Sequence, residues 1–305
     1  MHESVLLEES LNGLVGPVSG RYVDGTFGRG GHTRALLALL ANDAAVLVMD
    51  KDPQAIECAE ALAAEDDRVC VYHGSFADLP SALAELGWAG VDGVLLDLGV
   101  SSPQLDQDER GFSFQRQGPL DMRMDNSKGQ TVANYLETVA EDELVSVLRE
   151  YGEERFAKRI AGAIVKGRSE KPITTTLELA DLVKAAHPRW EKHKHPATRT
   201  FQALRIAVNR ELEDLDQLLA VVVDCLLPGG RLAVISFHSL EDRRIKQFMR
   251  QASQGPKVPR GVPIQGDMAR GPLALLSRAI KPSEVEVRAN VRARSAVLRI
   301  AERRP

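Results

Sequence analysis

Between Tyr22 and His32 a short apolar run ends in Asp24 and enters Gly25-Thr26-Phe27-Gly28-Arg29-Gly30-Gly31, four glycines in seven residues. Glycine lets a backbone take positive φ and come close to a ligand, and a helix start just beyond it offers amide N–H groups to polar or anionic atoms. The stretch therefore reads as a cofactor loop. A nicotinamide turn of the form G-x-G-x-x-G needs its third glycine for helix packing, but Thr33 stands there. Asp24 would also repel a pyrophosphate, whereas the amino group and sulfonium of S-adenosylmethionine would be attracted. Farther on, Ala45-Val46-Leu47-Val48-Met49 ends in Asp50, placed to accept hydrogen bonds from ribose hydroxyls. This pattern favours S-adenosylmethionine over a nicotinamide dinucleotide, and hence methyl transfer over hydride transfer.

The elements that must hold these residues alternate. Strands are expected at 20–24, 45–50, 69–72 and 90–97, separated by helices at 33–40, 53–64 and 76–86, with a further helix at 6–14. Such alternation predicts a parallel, doubly wound sheet. The rhythm stops at about residue 106. From there to 198 only helical patterns occur, with helices expected at 131–137, 141–151, 153–167 and 176–186, and Thr174-Thr175-Thr176 with Glu178 marking one helix start. One long helix over 200–227 then returns to an apolar strand at 231–236, a helix at 242–252, a surface loop at 253–272 and two last strands at 275–280 and 296–301, the final one antiparallel. The expected division is 1–105 with 199–305 for the sheet domain and 106–198 for an inserted, all-helical substrate-recognition domain.

The 305 residues, 44% of them hydrophobic, suffice for a sizeable core. No apolar run approaches a membrane span, and the acidic start lacks the basic-then-apolar order of an export signal, so a soluble cytoplasmic protein without a membrane partner is expected. Cys58, Cys70 and Cys225 are too few and too scattered for a disulfide framework. His193 and His195 have no acid or cysteine partners at metal-site spacing beyond Glu191, so no metal site is expected. Charge is uneven: residues 1–148 hold 9 basic against 25 acidic side chains, residues 149–210 hold 14 against 7, and residues 242–305 hold 15 against 5. Basic segments on an acidic protein suggest a polyanion partner. Arg155, Lys158, Arg159, Lys192, Lys194, Arg199, Arg205, Arg288, Arg292 and Arg294 are the candidates to grip it.

Five motifs then carry a resemblance: Asp24 to His32, Asp97-Leu98-Gly99-Val100-Ser101-Ser102-Pro103-Gln104, Tyr151-Gly152-Glu153-Glu154-Arg155, His195-Pro196-Ala197-Thr198-Arg199-Thr200 and Ser236-Phe237-His238-Ser239-Leu240-Glu241. Together they resemble the RsmH family, also called MraW, the bacterial 16S ribosomal RNA cytosine-N4 methyltransferases, across nearly the whole chain. The resemblance implies a Rossmann-like class I methyltransferase sheet of seven strands with an inserted helical domain. It also implies 16S ribosomal RNA of the small ribosomal subunit as partner, with a decoding-region cytidine as acceptor. Cofactor contacts carried over from it are Gly30, Gly31 and His32 in the loop, Asp50 on the ribose, Phe76 near the adenine, and Asp97 and Gln104 closing the pocket. Asp24 joins this set on the charge argument above.

Cytosine N4 is a weak nucleophile, its lone pair delocalised into the ring, so such an enzyme must chiefly position N4 and accept its hydrogens. Asp97, or a carbonyl of the 98–101 loop, is the expected acceptor of the N4 hydrogen, with His238 as a second base. Phe112, Phe114, Trp190 and Phe237 are the aromatics available to stack a flipped base. Two alternatives stand beside this reading, an N4-cytosine methyltransferase acting on DNA and a non-catalytic RNA-binding factor of ribosome assembly. The sequence assigns no oligomeric state.

Overall fold

Alternate residues of a strand point to opposite faces, so a strand buried on both sides needs apolar residues throughout. The run Val46-Leu47-Val48-Met49 meets this condition. In the computed structural model, which describes residues 4–189, 195–255 and 270–305, Val46 and Val48 enter one core while Leu47 and Met49 enter another on the opposite face. The strands are β1 (Arg21–Asp24), β2 (Ala45–Asp50), β3 (Val69–His73), β4 (Val91–Asp97), β5 (Leu226–Ser236), β6 (Leu273–Leu275) and β7 (Val297–Arg303). They form one seven-stranded sheet in the order β3-β2-β1-β4-β5-β7-β6. Its first five strands run parallel, and β7 is antiparallel to both β5 and β6. The order reverses between β1 and β4, the crevice where ligands of open α/β sheets bind. This is the Rossmann-like class I methyltransferase sheet, and its strand ends carry Asp24, Asp50 and Asp97 to one edge.

The chain divides into two compact units, 1–99 with 212–305, and 100–211. Helices α1 (Leu7–Leu14), α2 (Gly31–Leu39), α3 (Pro53–Glu65) and α4 (Leu79–Glu85) belong to the sheet unit. The second unit contains α5 (Ser102–Asp106), α6 (Val132–Thr138), α7 (Glu141–Glu150), α8 (Ala157–Glu170), α9 (Thr176–Ala186) and α10 (Thr198–Asn209). It has its own core, in which Leu136, Leu148, Ile160, Ile164, Leu179, Val183 and Leu204 are fully buried. Thr175 and Glu178 form the expected capping box of α9. The sheet unit resumes with α11 (Glu211–Cys225), α12 (Ser239–Ser253) and α13 (Glu284–Ala289).

Several elements differ from the sequence reading. The single helix expected over 200–227 is two, because Arg210 takes a left-handed conformation, φ 54. Asn209 causes the stop: its amide donates to the carbonyls of Arg205 and Met122 and its oxygen accepts from Met124 N–H, so a side chain competes for backbone partners the helix would otherwise use. The units accordingly divide after Gly99 and Glu211, where the sequence suggested 105 and 198. Pro228-Gly229-Gly230 lies within β5 and accompanies a register shift against Val91 and Gly93, whereas a helix stop was expected. The strand expected at 275–280 is not formed: β6 lies at 273–275, and Ile280 makes only an isolated bridge to Leu298. Helix α13 was not anticipated, although Ser283 caps it and Ser-x-x-Glu stands in the sequence. Residues 256–269 of the expected surface loop lie outside the described residues.

Candidate functional site

The glycine loop is stitched to two neighbouring strands by its own backbone. Gly25 N–H donates to the Leu95 carbonyl of β4 at 2.9 Å and Phe27 N–H to the Met49 carbonyl of β2 at 3.0 Å. At the loop's end Gly30 has φ 76, and a Cβ there would lie 2.7 Å from the Phe27 ring, so conformation and space both require glycine. Gly31 begins α2 against the Ser4 side chain. No side chain caps this helix start, which leaves its first turn oriented as a polar-group binder.

Three carboxylates stand around this loop. Asp24 is buried and accepts from Thr33 Oγ1 at 2.6 Å and from Thr26 N–H at 3.2 Å. Burial pushes its pKa up, opposed by His32 and by those two hydrogen bonds. Asp50 accepts from Gly28 N–H at 2.8 Å with one oxygen and from Asp52 N–H at 2.9 Å with the other. Burial raises it to about 6, against the pull of those two amides and with the neighbouring carboxylates of Asp52 and Asp24 adding to the rise. Asp97 is also held at about 6, by burial first, with His32 opposing and Asp24 and Glu241 reinforcing. Its backbone N–H donates to Thr26 Oγ1 at 2.6 Å. Its Oδ2 lies 3.7 Å from His32 Nδ1, while its Oδ1 is buried with no hydrogen-bond partner among the described residues. A buried orphan oxygen is costly and marks a place where a ligand hydrogen is expected.

Phe76 is half-buried on a single 3-10 turn, Phe76–Asp78, that follows β3, and its Cβ packs toward Gly25. Beside it Ser75 Oγ donates to Asp214 Oδ2 at 2.5 Å, and Lys51 Nζ pairs with the same oxygen. Thr26, Thr33, Lys51, Ser75 and Asp214 were all missed in the sequence. Only the hydroxyls directly beside the glycines could have been suspected from spacing, because Asp214 comes from far along the chain.

The remaining sequence candidates divide. Gln104 lies in the second unit, where it is buried and its Oε1 accepts from Ser101 N–H at 3.0 Å. Residues 102–106 form a short capped helix with Pro103 in its first turn. His238 is the N-cap of α12: its Nδ1 accepts from Glu241 N–H at 3.4 Å and its Nε2 lies 3.1 Å from Glu241 Oε1. Glu241 in turn accepts from the Phe237 and His238 amides. This is a helix-capping arrangement.

Among the basic candidates, Arg155, Lys158 and Arg159 are exposed at the start of α8, and Arg292 and Arg294 are exposed on the 3-10 turn Val291–Ser295. Arg288 pairs with Glu284 at 3.4 Å. Arg199 donates to the Glu153 carbonyl at 3.3 Å, and Arg205 is mostly buried in a bidentate pair with Glu211 at 2.8 and 2.7 Å. Lys192, Lys194, His193 and Trp190 lie outside the described residues. Phe112 is core in the helical unit, and Phe114 stacks on His195 with ring centroids 4.7 Å apart. Phe237 is half-buried beside Gly99. Among the described residues, no helix is long and apolar enough to cross a membrane.

Residues 1–304 match the family described as the MraW methylase family. The chain is 55% identical over 303 residues to the ribosomal RNA small subunit methyltransferase H of Legionella pneumophila strain Paris, covering 99% of this chain and 98% of that protein. It is 55% identical over 304 residues to the protein of the same name from Acinetobacter baumannii strain ATCC 17978, covering 99% and 97%. Among solved structures it is similar to an rRNA methylase from Streptococcus thermophilus, with a TM-score of 0.40 and 11% identity over 100% of this chain and 99% of that one. Across its full length, then, the chain belongs to the MraW methylase family.

Proposed function

We propose that the protein methylates the exocyclic N4 of a cytidine in the decoding region of 16S ribosomal RNA, acting in the cytoplasm on the small ribosomal subunit. The cofactor is S-adenosylmethionine, which when bound supplies an electrophilic methyl group on a sulfonium. The residues present fit it. Gly30 and the start of α2 allow close approach, Asp50 keeps lone pairs beyond its two amide contacts for ribose hydroxyls, Phe76 offers a half-exposed ring for adenine, and Asp24 and Asp97 give the edge the negative charge that a cationic cofactor needs.

The observation that carries the reading is Asp97 Oδ1, an orphan oxygen at the carboxyl end of β4 beside the switch point of the sheet. It can accept a hydrogen from N4, which orients the amino group and then takes its proton. A pKa of about 6 leaves Asp97 mostly ionised at neutral pH, yet basic enough to receive that proton. The helical unit, through Arg155, Lys158 and Arg159, contributes phosphate contacts, and Arg292 and Arg294 contribute others from the sheet unit.

The test is methyl transfer from labelled S-adenosylmethionine to unmethylated small ribosomal subunits, followed by mass spectrometry of the digested nucleosides. N4-methylcytidine is the expected product. Label on another atom or base refutes the acceptor assignment, and cofactor binding without transfer refutes the substrate.

A further inference from the structure

His32, in the first turn of α2, is only 6% exposed. Its Nε2 lies 3.1 Å from the Val5 carbonyl oxygen. A carbonyl can only accept, so Nε2 carries a hydrogen and the ring's remaining nitrogen, Nδ1, is the one that faces Asp97 Oδ2 at 3.7 Å. Two bare acceptors turned toward each other in a buried site repel, whereas a proton on Nδ1 makes the contact attractive. Among the described residues, the other charged groups acting on Asp97 are acids: Asp24 comes from β1 and Glu241 from α12, the last engaged with His238.

The anchor of the ring is itself fixed. Leu6, next to Val5, takes φ 50, and its N–H donates to Glu286 Oε1 of α13 at 2.7 Å. Three separate parts of the chain thus determine which imidazole nitrogen faces Asp97.

We propose that His32 is a positioning residue for proton removal: with Nε2–H committed to Val5, its Nδ1–H faces Asp97 Oδ2 and holds Asp97 as a carboxylate, leaving Oδ1 to accept the N4 hydrogen. This rests on the role given to Asp97 above. In the proton step one N–H bond of the methylated amino group breaks with its electron pair kept on nitrogen, one O–H bond forms at Asp97 Oδ1, and His32 retains both ring protons. Without the cation, Asp97 stands between Asp24 and Glu241 and gives up its charge at a higher pH.

The experiment is the pH dependence of kcat for the wild type and His32→Gln at saturating S-adenosylmethionine and small subunits. Glutamine can still donate to Val5 but cannot ionise. The acid limb of kcat should move to higher pH by about one unit or more. An acid limb that stays in place under a uniformly lower kcat would mean a structural role only and overturns the proposal. A second measurement needs no turnover: nitrogen NMR of His32 under the assay conditions should show a proton on Nδ1 as well as Nε2 in the wild type, with the Nδ1 proton lost in Asp97→Asn. A ring with bare Nδ1 in the wild type overturns the proposal as well. If the wild type transfers no methyl group to small subunits, the functional reading fails, and the NMR result alone decides the His32–Asp97 pairing.

Discussion

Replacing Asp97 by Asn should make the protein more stable and nearly inactive, and the stability gain should depend on pH. The pKa of Asp97 stands at about 6 against an ordinary 3.8. The folded state therefore binds more protons than the unfolded state between about pH 4 and 6, and stability falls as pH rises through that window. Above about pH 7 the full penalty applies. At roughly 1.4 kcal/mol per pH unit it amounts to about 3 kcal/mol, an amount that already includes the favourable effect of His32. Asn has the same shape and no charge to desolvate. At roughly 2 °C per kcal/mol for a chain of this size, Tm should rise by about 4–6 °C at pH 8 and by no more than about 1 °C at pH 4. Over the same range kcat should fall at least ~100-fold, the usual effect of losing a proton acceptor. Thermal unfolding of both proteins across pH 4–8, with matched turnover assays, measures the two effects together. A variant no more stable than wild type at pH 8, or stabilised equally at pH 4, would refute the assignment of a desolvated carboxylate at this position.

Three other outcomes follow from the geometry. Gly30→Ala, which puts a Cβ 2.7 Å from the Phe27 ring at φ 76, should weaken S-adenosylmethionine binding at least ~10-fold by calorimetry, while Gly87→Ala, whose Cβ meets open space, leaves affinity unchanged. Removing charge at Arg155, Lys158 and Arg159 together should flatten the dependence of log affinity for small-subunit RNA on log salt by about 2–3, and an unchanged slope would take these residues out of phosphate contact. Asp214→Ala deprives Lys51 and Ser75 of their shared acceptor; unfolding in urea should show a loss of about 1–3 kcal/mol, and no loss would mean that solvent fully replaces that acceptor.

What could be read in the sequence was what local pattern specifies. Strand alternation and the acids that end β1, β2 and β4 were visible because both are properties of a few adjacent residues, and Asp24, Asp50 and Asp97 do reach one edge. The glycine loop was visible for the same reason. The break at Arg210 was not, because the Asn209 side chain that ends α10 is satisfied by Met122 and Met124, more than eighty residues earlier. His238 illustrates the opposite case. Its position on the sheet rim suggested chemistry, but a glutamate three residues later is also the spacing of a capping box, and the fold uses it for that.

The same distinction explains why His32 carries more meaning in the structure than in the motif. In the sequence it closes a glycine-rich run and reads as one more loop contact. Its orientation comes from Val5 and Leu6 at the beginning of the chain and from Glu286 near its end, and none of the three is foreshadowed near residue 32. Three carboxylates gathered at one sheet edge destabilise the fold wherever they remain charged. A histidine with one nitrogen committed to a carbonyl is a means of keeping one of them ionised, because that bond fixes which ring nitrogen is turned toward Asp97. The stability given up at Asp97 and the constraint on His32 are therefore two sides of one electrostatic arrangement, which is why Asp97→Asn and His32→Gln should move the pH dependence of stability and of turnover, respectively, in the ways stated above.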